Sequence, residues 1–241
     1  MKLLLISNSA SPGEKYLEKA SADLAHHLGE KGKAPIFIPY AAVTYSFDEY
    51  VEKVNTALKS YDIHVRGIHR EANPIAAISR ADAILVGGGN TFQLVKMMQE
   101  QGLIQAIRER VLHSNIPYAG WSAGSNIACP TICTTNDMPI VEPPSFKGLD
   151  FVPYQINPHY LDAHPEGHGG ETREQRILEY IAANHDRYVV GLREGCRLLV
   201  DDNGSRLIGE KPARIFKYGE PIREVQPGES LNFLYQNFLY Q

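Results

Sequence analysis

Short apolar runs alternate with amphipathic segments along the first half of the chain. Leu3–Ile6 is continuously apolar, as expected of a strand that is buried on both faces of a parallel sheet. The same reasoning predicts further strands at Ile36–Ile38, His64–His69, Ala83–Val86 and Ile116–Gly120. Strands that alternate with helices in this rhythm predict a parallel sheet with helices on both faces.

Helices are predicted between these strands, where apolar residues recur every three or four positions. A serine cap at Ser11, followed by proline and then by Glu14, predicts a helix that runs to Leu28. Ser46 and Glu49 repeat the capping pattern ahead of a second helix. The remaining predicted helices begin at Asn73–Pro74, after Asn90, at Leu103 and at Glu174.

The second half of the chain is less regular. Short strands are predicted at Thr131–Thr135, Phe151–Ile156 and Tyr188–Leu192. Cys196–Val200 and Arg206–Ile208 flank an Asn-Gly turn and predict a β-hairpin. With no linker or repeat, we predict one α/β domain over residues 1–241. It has a mostly parallel central sheet, helices on both faces and a small C-terminal β-hairpin region.

Composition and charge exclude several classes of protein. The chain has 241 residues, 43% of them hydrophobic and 22% charged, which is typical of a soluble globular domain. Its net charge is −4, without a basic block, so no nucleic-acid partner and no anionic membrane surface is expected. The apolar runs are too short for a signal peptide or a membrane span. A cytoplasmic location is therefore predicted.

The three cysteines, Cys129, Cys133 and Cys196, are too few for a disulfide framework. Cys129 and Cys133 have the spacing of half a metal site, but no second pair of ligands follows at a matching distance. We therefore predict buried thiols and no metal ion.

Gly120-Trp121-Ser122-Ala123-Gly124 fits the G-x-S-x-G pattern at a predicted strand-to-helix junction. A sharp turn there exposes the serine hydroxyl, and the small neighbours let strand and helix approach closely. Ser122 is the predicted nucleophile. The Ala123 N–H, at the start of the next helix, is a candidate donor to the oxyanion of a tetrahedral intermediate.

The glycine run before Asn90 also follows a strand and opens a helix, so its amides should reach the same edge of the sheet. Without a G-x-G-x-x-G pattern or a Walker lysine, a nucleotide site is the weaker interpretation. We predict that Gly88 or Gly89 supplies the second oxyanion donor.

A serine nucleophile needs a base and a carboxylate that orients the base. His159 follows the predicted strand at Phe151–Ile156 and is the predicted base, whereas His164 and His168 are expected in a surface loop. Asp137 and Glu194 both suit the third position. Chain order cannot separate them, because triads are defined by geometry.

Five motifs between Gly87 and Ile177 together resemble those of the peptidase E family, cytosolic α-aspartyl dipeptidases of serine peptidase family S51. They are GGGNTFQL, GWSAGSN, CPTICTTNDMPIV, QINPHY and PEGHGGETREQRI. The resemblance implies a flavodoxin-like fold, similar to class I glutamine amidotransferase domains, and cleavage after an N-terminal aspartate. It matches Ser122 and His159 to the nucleophile and base. It favours Asp137 as the third member and leaves Glu194 as the alternative.

Selectivity for aspartate requires a cation in the site, because a desolvated carboxylate without a partner is costly. Arg173 is the first candidate and Arg176 the second. The free amine of the substrate could be bound by Asn90, Glu171 or Glu194.

Short peptides with an N-terminal aspartate are thus the predicted partners, and no cofactor is required. The apolar C-terminal residues, including Phe238–Tyr240, also allow a homodimer. Two other functions stay open: a less selective serine esterase or amidase, and a flavodoxin-like module that binds a nucleotide at Gly87–Asn90.

Overall fold

The computed structural model describes residues 1–162 and 169–235, which form two β-sheets and the helices around them. The strands are β1 (Lys2–Ile6), β2 (Ile36–Ile38), β3 (Arg66–Gly67), β4 (Ile84–Val86), β5 (Pro117–Trp121), β6 (Gln155–Tyr160), β7 (Val189–Arg193), β8 (Arg197–Asp201), β9 (Gly204–Ile208), β10 (Ala213–Phe216) and β11 (Arg223–Val225). The α-helices are α1 (Ser21–Leu28), α2 (Phe47–Leu58), α3 (Pro74–Arg80), α4 (Thr91–Glu100), α5 (Leu103–Ser114), α6 (Ala123–Asn126) and α7 (Arg173–Ala183).

The central sheet has the strand order β3-β2-β4-β5-β1-β8-β9. Strands β1 to β5 are parallel, as predicted. The predicted hairpin is confirmed as β8 and β9, and β8 pairs with β1 in the antiparallel direction. The hairpin therefore extends the central sheet.

Helices cover both faces of the central sheet, as the sequence predicts. Leu3 and Leu5 of β1 lie in one core cluster with buried residues of α3, α4 and α5. Leu4 lies in a second cluster with buried residues of α1 and α2. This alternation explains why the strand is apolar at every position.

A second sheet, which the sequence does not predict, has the strand order β11-β10-β7-β6. Strands β6 and β7 are parallel, while β10 and β11 are antiparallel to their neighbours. Val190 of β7 and Ile215 of β10 share the core cluster that contains Leu3. The two sheets are thus joined by one hydrophobic core.

Two predicted helix caps are confirmed, and one predicted helix start is wrong. Ser46 and Glu49 form a capping box on α2, and Asn73 caps α3. The first helix, however, begins at Ser21 instead of after Ser11. The chain is interrupted at Leu17, which has a φ of 57° and is fully buried. Packing of this side chain outweighs the local helix signal.

Three strand predictions differ from the structure. Only Arg66–Gly67 of the predicted His64–His69 strand is extended. Thr131–Thr135 is not a strand, and its pairing among the described residues is an isolated bridge from Thr131 to Lys147. The strand expected at Phe151–Ile156 starts later and runs from Gln155 to Tyr160. His159 therefore lies on this strand and not in a loop after it.

His164, His168 and the C-terminal Phe238–Tyr240 lie outside the residues that the structure describes. Within the described ranges, no helix combines the length and the apolar character that a membrane crossing needs.

Candidate active site

Ser122 stands at the junction of β5 and α6, as predicted. Its φ of 55° and ψ of −113° place a non-glycine residue in a strained region, which is the geometry of a nucleophile elbow. A Cβ atom on Gly120 would overlap the Gly124 carbonyl, and one on Gly124 would overlap the Val86 carbonyl. Both glycines are therefore required for the close approach of strand and helix.

The predicted oxyanion donors lie beside this serine. A Cβ atom on Gly88 would lie 3.0 Å from Ser122 Cβ, so the glycine loop packs directly against the elbow. The N–H groups of Gly88, Gly89 and Ala123 have no acceptor within the described part of the chain. Amides without a partner next to a nucleophile can bind a developing negative charge.

His159 contacts Ser122 from the second sheet. Its Nε2 lies 3.0 Å from Ser122 Oγ. A bulge interrupts the pairing of β6 with β7 here, and His159 has a φ of 53°. Its backbone N–H donates to Ser7 Oγ at 2.9 Å, and the Ser7 hydroxyl donates to the Leu192 carbonyl at 2.7 Å. Ser7 therefore joins the end of β1 to the strands of the second sheet.

Glu194 is the carboxylate that contacts the histidine. It directly follows β7, and its Oε1 lies 2.7 Å from His159 Nδ1. A carboxylate can only accept, so a neutral imidazole carries its proton on Nδ1 and leaves Nε2 to accept from the Ser122 hydroxyl. This is the relay that a serine nucleophile needs.

The basic residue beside Glu194 faces its own acidic partners. The Arg193 guanidinium forms paired hydrogen bonds with Asp162, at 2.7 and 2.6 Å, and with Glu224, at 2.8 and 2.9 Å. The bond from Arg193 also lowers the pKa of the Asp162 carboxyl. Arg193 is thus neutralised locally and anchors the chain next to Glu194.

Asp137, our first choice for the third member of the triad, is elsewhere. Its Oδ2 accepts from the Thr91 N–H at 2.7 Å, from the Thr91 hydroxyl at 2.6 Å and from the Thr135 hydroxyl at 3.1 Å. The prediction that Asp137 orients His159 is therefore wrong, because this carboxylate contacts Thr91 and Thr135 and the histidine contacts Glu194. The chain after Thr131 turns over the start of α4, so this carboxylate meets the helix N-terminus.

The same carboxylate bears on the nucleotide interpretation of the glycine loop. Phosphate binds at a helix N-terminus because free N–H groups and the helix dipole attract an anion. At the start of α4, Asp137 already supplies that negative charge to the Thr91 N–H. The Thr91 N–H at the start of α4 is therefore already paired with a carboxylate of the chain, which disfavours a phosphate at this helix end.

Asn136 was not among the predicted site residues, yet it holds the strand that carries the histidine. Its Nδ2 donates to the Pro158 carbonyl at 2.6 Å, and its Oδ1 accepts from Asn157 Nδ2 at 2.7 Å. The same Asn157 amide donates to the Thr134 carbonyl at 2.9 Å. In the Thr-Asn-Asp segment, Thr135–Asp137, Asn136 thus supports β6 and Asp137 supports the start of α4.

Arg173 opens into the same cavity as the Ser122 hydroxyl. The cavity has a volume of about 340 Å³, and Asp137, His159 and Glu194 also line it. Arg173 is half-buried at the first position of α7, and burial lowers the pKa of its guanidinium. Among the described residues, no carboxylate forms an ion pair with it. Arg173 therefore adds a positive charge to the wall of this cavity.

The other predicted substrate-binding residues are engaged elsewhere. Asn90 Oδ1 accepts from the Gln93 N–H at 3.1 Å, and Asn90 Nδ2 donates to the Met138 carbonyl at 2.9 Å. Asn90 is thus the N-cap of α4, and the structure does not place this predicted substrate-binding residue among those that line the cavity of Ser122. Arg176 and Glu171 approach each other to 3.7 Å at the surface.

The cysteines are free thiols, and two of the three are buried as predicted. Cys129 and Cys196 are buried, whereas Cys133 is exposed. In the two described ranges, no cluster of three or more His, Cys, Asp or Glu side chains could hold a metal ion.

The chain is similar to known peptidases over most of its length. A sequence profile of peptidase family S51 matches residues 3–208. Peptidase E of a Nostoc species is 48% identical over 233 residues, which cover 97% of this chain and 96% of that protein. Peptidase E of Salmonella heidelberg is 49% identical over 228 residues, which cover 95% of this chain and 99% of that protein.

Two solved structures share the α/β fold. A peptidase from an acI-B1 Actinobacterium superposes with a TM-score of 0.68 at 18% identity, covering 96% of each chain. A putative peptidase E protein from Listeria monocytogenes EGD-e superposes with a TM-score of 0.56 at 22% identity, covering 93% of this chain and 98% of that one. At these identities the likeness concerns the fold alone.

Proposed function

The chain belongs to peptidase family S51 and is a peptidase, and we propose that it is a serine exopeptidase that removes an N-terminal aspartate from dipeptides and short peptides. The observation that carries this proposal is the continuous relay from Ser122 through His159 to Glu194. The proposed triad replaces Asp137, our first choice, with Glu194.

Acylation starts when Ser122 Oγ attacks the carbonyl carbon of the N-terminal aspartyl residue and its proton passes to His159 Nε2. Backbone N–H groups of the glycine loop and of Ala123 stabilise the oxyanion. When the intermediate collapses, the C–N bond breaks and His159 gives its proton to the leaving amine. An aspartyl ester on Ser122 remains.

Deacylation repeats these steps with water as the nucleophile. Water gives a proton to His159 while its oxygen attacks the ester carbon, and collapse of the second intermediate releases aspartate. The proton returns from His159 to Ser122 Oγ. Glu194 stabilises the imidazolium in both halves of the cycle.

Arg173 is proposed to bind the side-chain carboxylate of the substrate. A guanidinium can hold a carboxylate through two parallel hydrogen bonds. Arg173 is half-buried, lines the cavity of the nucleophile and has no ion-pair partner among the described residues. A neutral side chain would leave this desolvated cation without a partner, which supports selectivity for aspartate.

Asp137 is proposed to bind the free amine of the substrate. Among the described residues, every hydrogen bond of the Asp137 side chain uses Oδ2, which leaves Oδ1 without a partner there, and Asp137 lines the cavity. An N-terminal aspartate carries one ammonium and one side-chain carboxylate close together. The opposite charges of Asp137 and Arg173 in one cavity complement that pair.

The proposal is tested by hydrolysis of Asp-Leu, Glu-Leu, Asn-Leu and Ala-Leu in the presence of EDTA. We expect cleavage of Asp-Leu alone, and a loss of at least about 10⁴-fold in kcat for Ser122→Ala, with unchanged folding. Full activity of this variant would refute the serine mechanism. Equal cleavage of all four peptides would support the less selective esterase or amidase and remove the role of Arg173.

We also propose that the peptidase works in the cytoplasm. Its exposed Cys133 thiol, together with two buried free thiols, suits a reducing compartment.

A further inference from the structure

A buried series of hydrogen bonds runs beneath the glycine loop, from the residue before the nucleophile to the loop itself. Trp121 Nε1–H donates to the Tyr16 hydroxyl at 2.9 Å and to the Tyr50 hydroxyl at 3.1 Å. Tyr16 donates to Tyr50 at 3.1 Å, and Tyr50 donates to the Gly88 carbonyl at 2.9 Å. An indole N–H can only donate and a carbonyl can only accept. The single Tyr50 proton is therefore committed to Gly88.

Tyr50 is a fixed donor. Only 2% of the residue is exposed, and its ring packs edge-on against Phe37, Tyr45 and Tyr16, with centroids 5.0, 5.3 and 6.4 Å away. Burial also raises the pKa of the Tyr50 hydroxyl, so it stays protonated across the neutral range.

The glycine loop is held at both ends but not in its middle. The Gly87 N–H donates to the Ile38 carbonyl at 3.1 Å, and the Asn90 N–H donates to the Ala41 carbonyl at 2.9 Å. Within the described part of the chain, the peptide between Gly88 and Gly89 has no backbone partner, and glycine on both sides makes its rotation easy. The described contact that fixes this peptide is the Tyr50 hydroxyl.

The orientation of this peptide matters for the reaction. In a planar trans peptide, the Gly88 carbonyl and the Gly89 N–H point in opposite directions. A carbonyl turned toward the buried Tyr50 therefore turns the N–H away from it, on a loop that packs against Ser122. The φ of Gly89 is 136°, which residues with a side chain rarely adopt.

We propose that Tyr50 is a positioning residue that holds the Gly88–Gly89 peptide so that the Gly89 N–H stabilises the oxyanion formed when Ser122 attacks. This inference rests on the proposed serine peptidase function and assigns the second oxyanion donor to Gly89. Without the hydroxyl, the peptide can rotate and present a carbonyl oxygen, which would repel the oxyanion.

The test compares Tyr50→Phe with Tyr16→Phe in the hydrolysis of Asp-Leu. Both variants remove one hydroxyl from the same network, but only the first removes the contact with Gly88. We expect Tyr50→Phe to lower kcat at least tenfold with KM within twofold, because a misplaced oxyanion donor affects only the transition state. Tyr16→Phe should stay within about threefold of the wild type in kcat.

Inhibitor binding separates positioning from a general structural role. Ser122 adds to an aspartyl aldehyde to form a hemiacetal whose oxygen lies at the oxyanion position, whereas free aspartate binds without a bond. For Tyr50→Phe, we expect the inhibition constant of the aldehyde to rise by the same factor by which kcat falls. The inhibition constant of aspartate should stay within twofold, and a disturbed cavity would raise both.

Two further variants keep the test decisive if Tyr50→Phe does not fold. Tyr50→4-fluorophenylalanine fills the position but cannot donate, whereas Tyr50→4-aminophenylalanine can. The first should lose activity and the second should keep it within about threefold. Equal activity of this pair, or equal loss in Tyr50→Phe and Tyr16→Phe, would overturn the role of Tyr50 while leaving the proposed function intact. A wild-type protein that cleaves no aspartyl peptide would overturn both.

Discussion

The nucleophile and its base are positioned by different means. Ser122 sits on a turn shaped by backbone packing, where Gly120 and Gly124 leave no room for a side chain. His159 sits on a bulged strand that is held by polar contacts with Ser7 and with the Asn136 segment. Local sterics therefore fix one half of the site, and long-range hydrogen bonds fix the other.

With the nucleophile left in place, the largest effect should come from replacing one of the two candidate carboxylates by its amide. Glu194→Gln removes the charge that stabilises the imidazolium and favours the wrong tautomer of His159, so kcat should fall by about 10³- to 10⁴-fold. Asp137→Asn should mainly raise KM, by about tenfold, because it weakens binding of the substrate amine. Steady-state kinetics with Asp-Leu measures both.

Comparing the two variants tests which carboxylate belongs to the triad. Asp137→Asn weakens the cap of α4, so its thermal stability must be compared with that of the wild type. A loss of kcat in Asp137→Asn as large as that in Glu194→Gln would contradict the assignment of the triad.

This pair shows why the sequence could not choose between Asp137 and Glu194. Each carboxylate follows a predicted strand: Asp137 follows Thr131–Thr135 and Glu194 follows Tyr188–Leu192. The first of these is not a strand in the structure. The second belongs to a sheet that the periodicity of the sequence does not reveal. In the structure, β6 and β7 are parallel and Tyr160 is in register with Arg193. His159 precedes Tyr160 and Glu194 follows Arg193, and their side chains meet with 2.7 Å between Nδ1 and Oε1. The choice depended on strand pairing, which no local pattern encodes.

The elbow could be predicted because its determinants lie within five consecutive residues. A glycine on each side of the serine and a strand-to-helix junction are visible in the sequence. The supports of His159 are scattered instead. Ser7 is 152 positions away from it, and Asn136 contacts the carbonyl of the preceding proline from 22 positions away. Such partners come together only in the folded chain.

The tightly packed turn that carries Ser122 should not tolerate an added methyl group at Gly124. Gly124→Ala would drive a Cβ atom into the Val86 carbonyl, so we expect a loss of about 3 kcal/mol in the free energy of unfolding. Gly169→Ala is the control, since a Cβ atom there has none of the described residues within 4 Å. Urea denaturation of both variants measures the difference. A Gly124→Ala protein as stable as the control would show that the elbow can relax.

Removing one of the hydrogen bonds that hold the strand of His159 should have a smaller effect on stability than the change at Gly124. Asn136→Ala removes the bond to the Pro158 carbonyl and leaves β6 in place through its pairing with β7. We expect a loss of about 1 to 2 kcal/mol in the free energy of unfolding. We also expect kcat to fall by about tenfold, because small displacements of a catalytic base are costly.

Asn184→Ala, which removes a side-chain hydrogen bond to the Tyr180 carbonyl at the end of α7, is a control for the loss of one amide. If both variants lose stability but only Asn136→Ala loses kcat, the Thr-Asn-Asp segment acts on the base. An unchanged kcat would mean that Ser7 and the bulge position His159 without it.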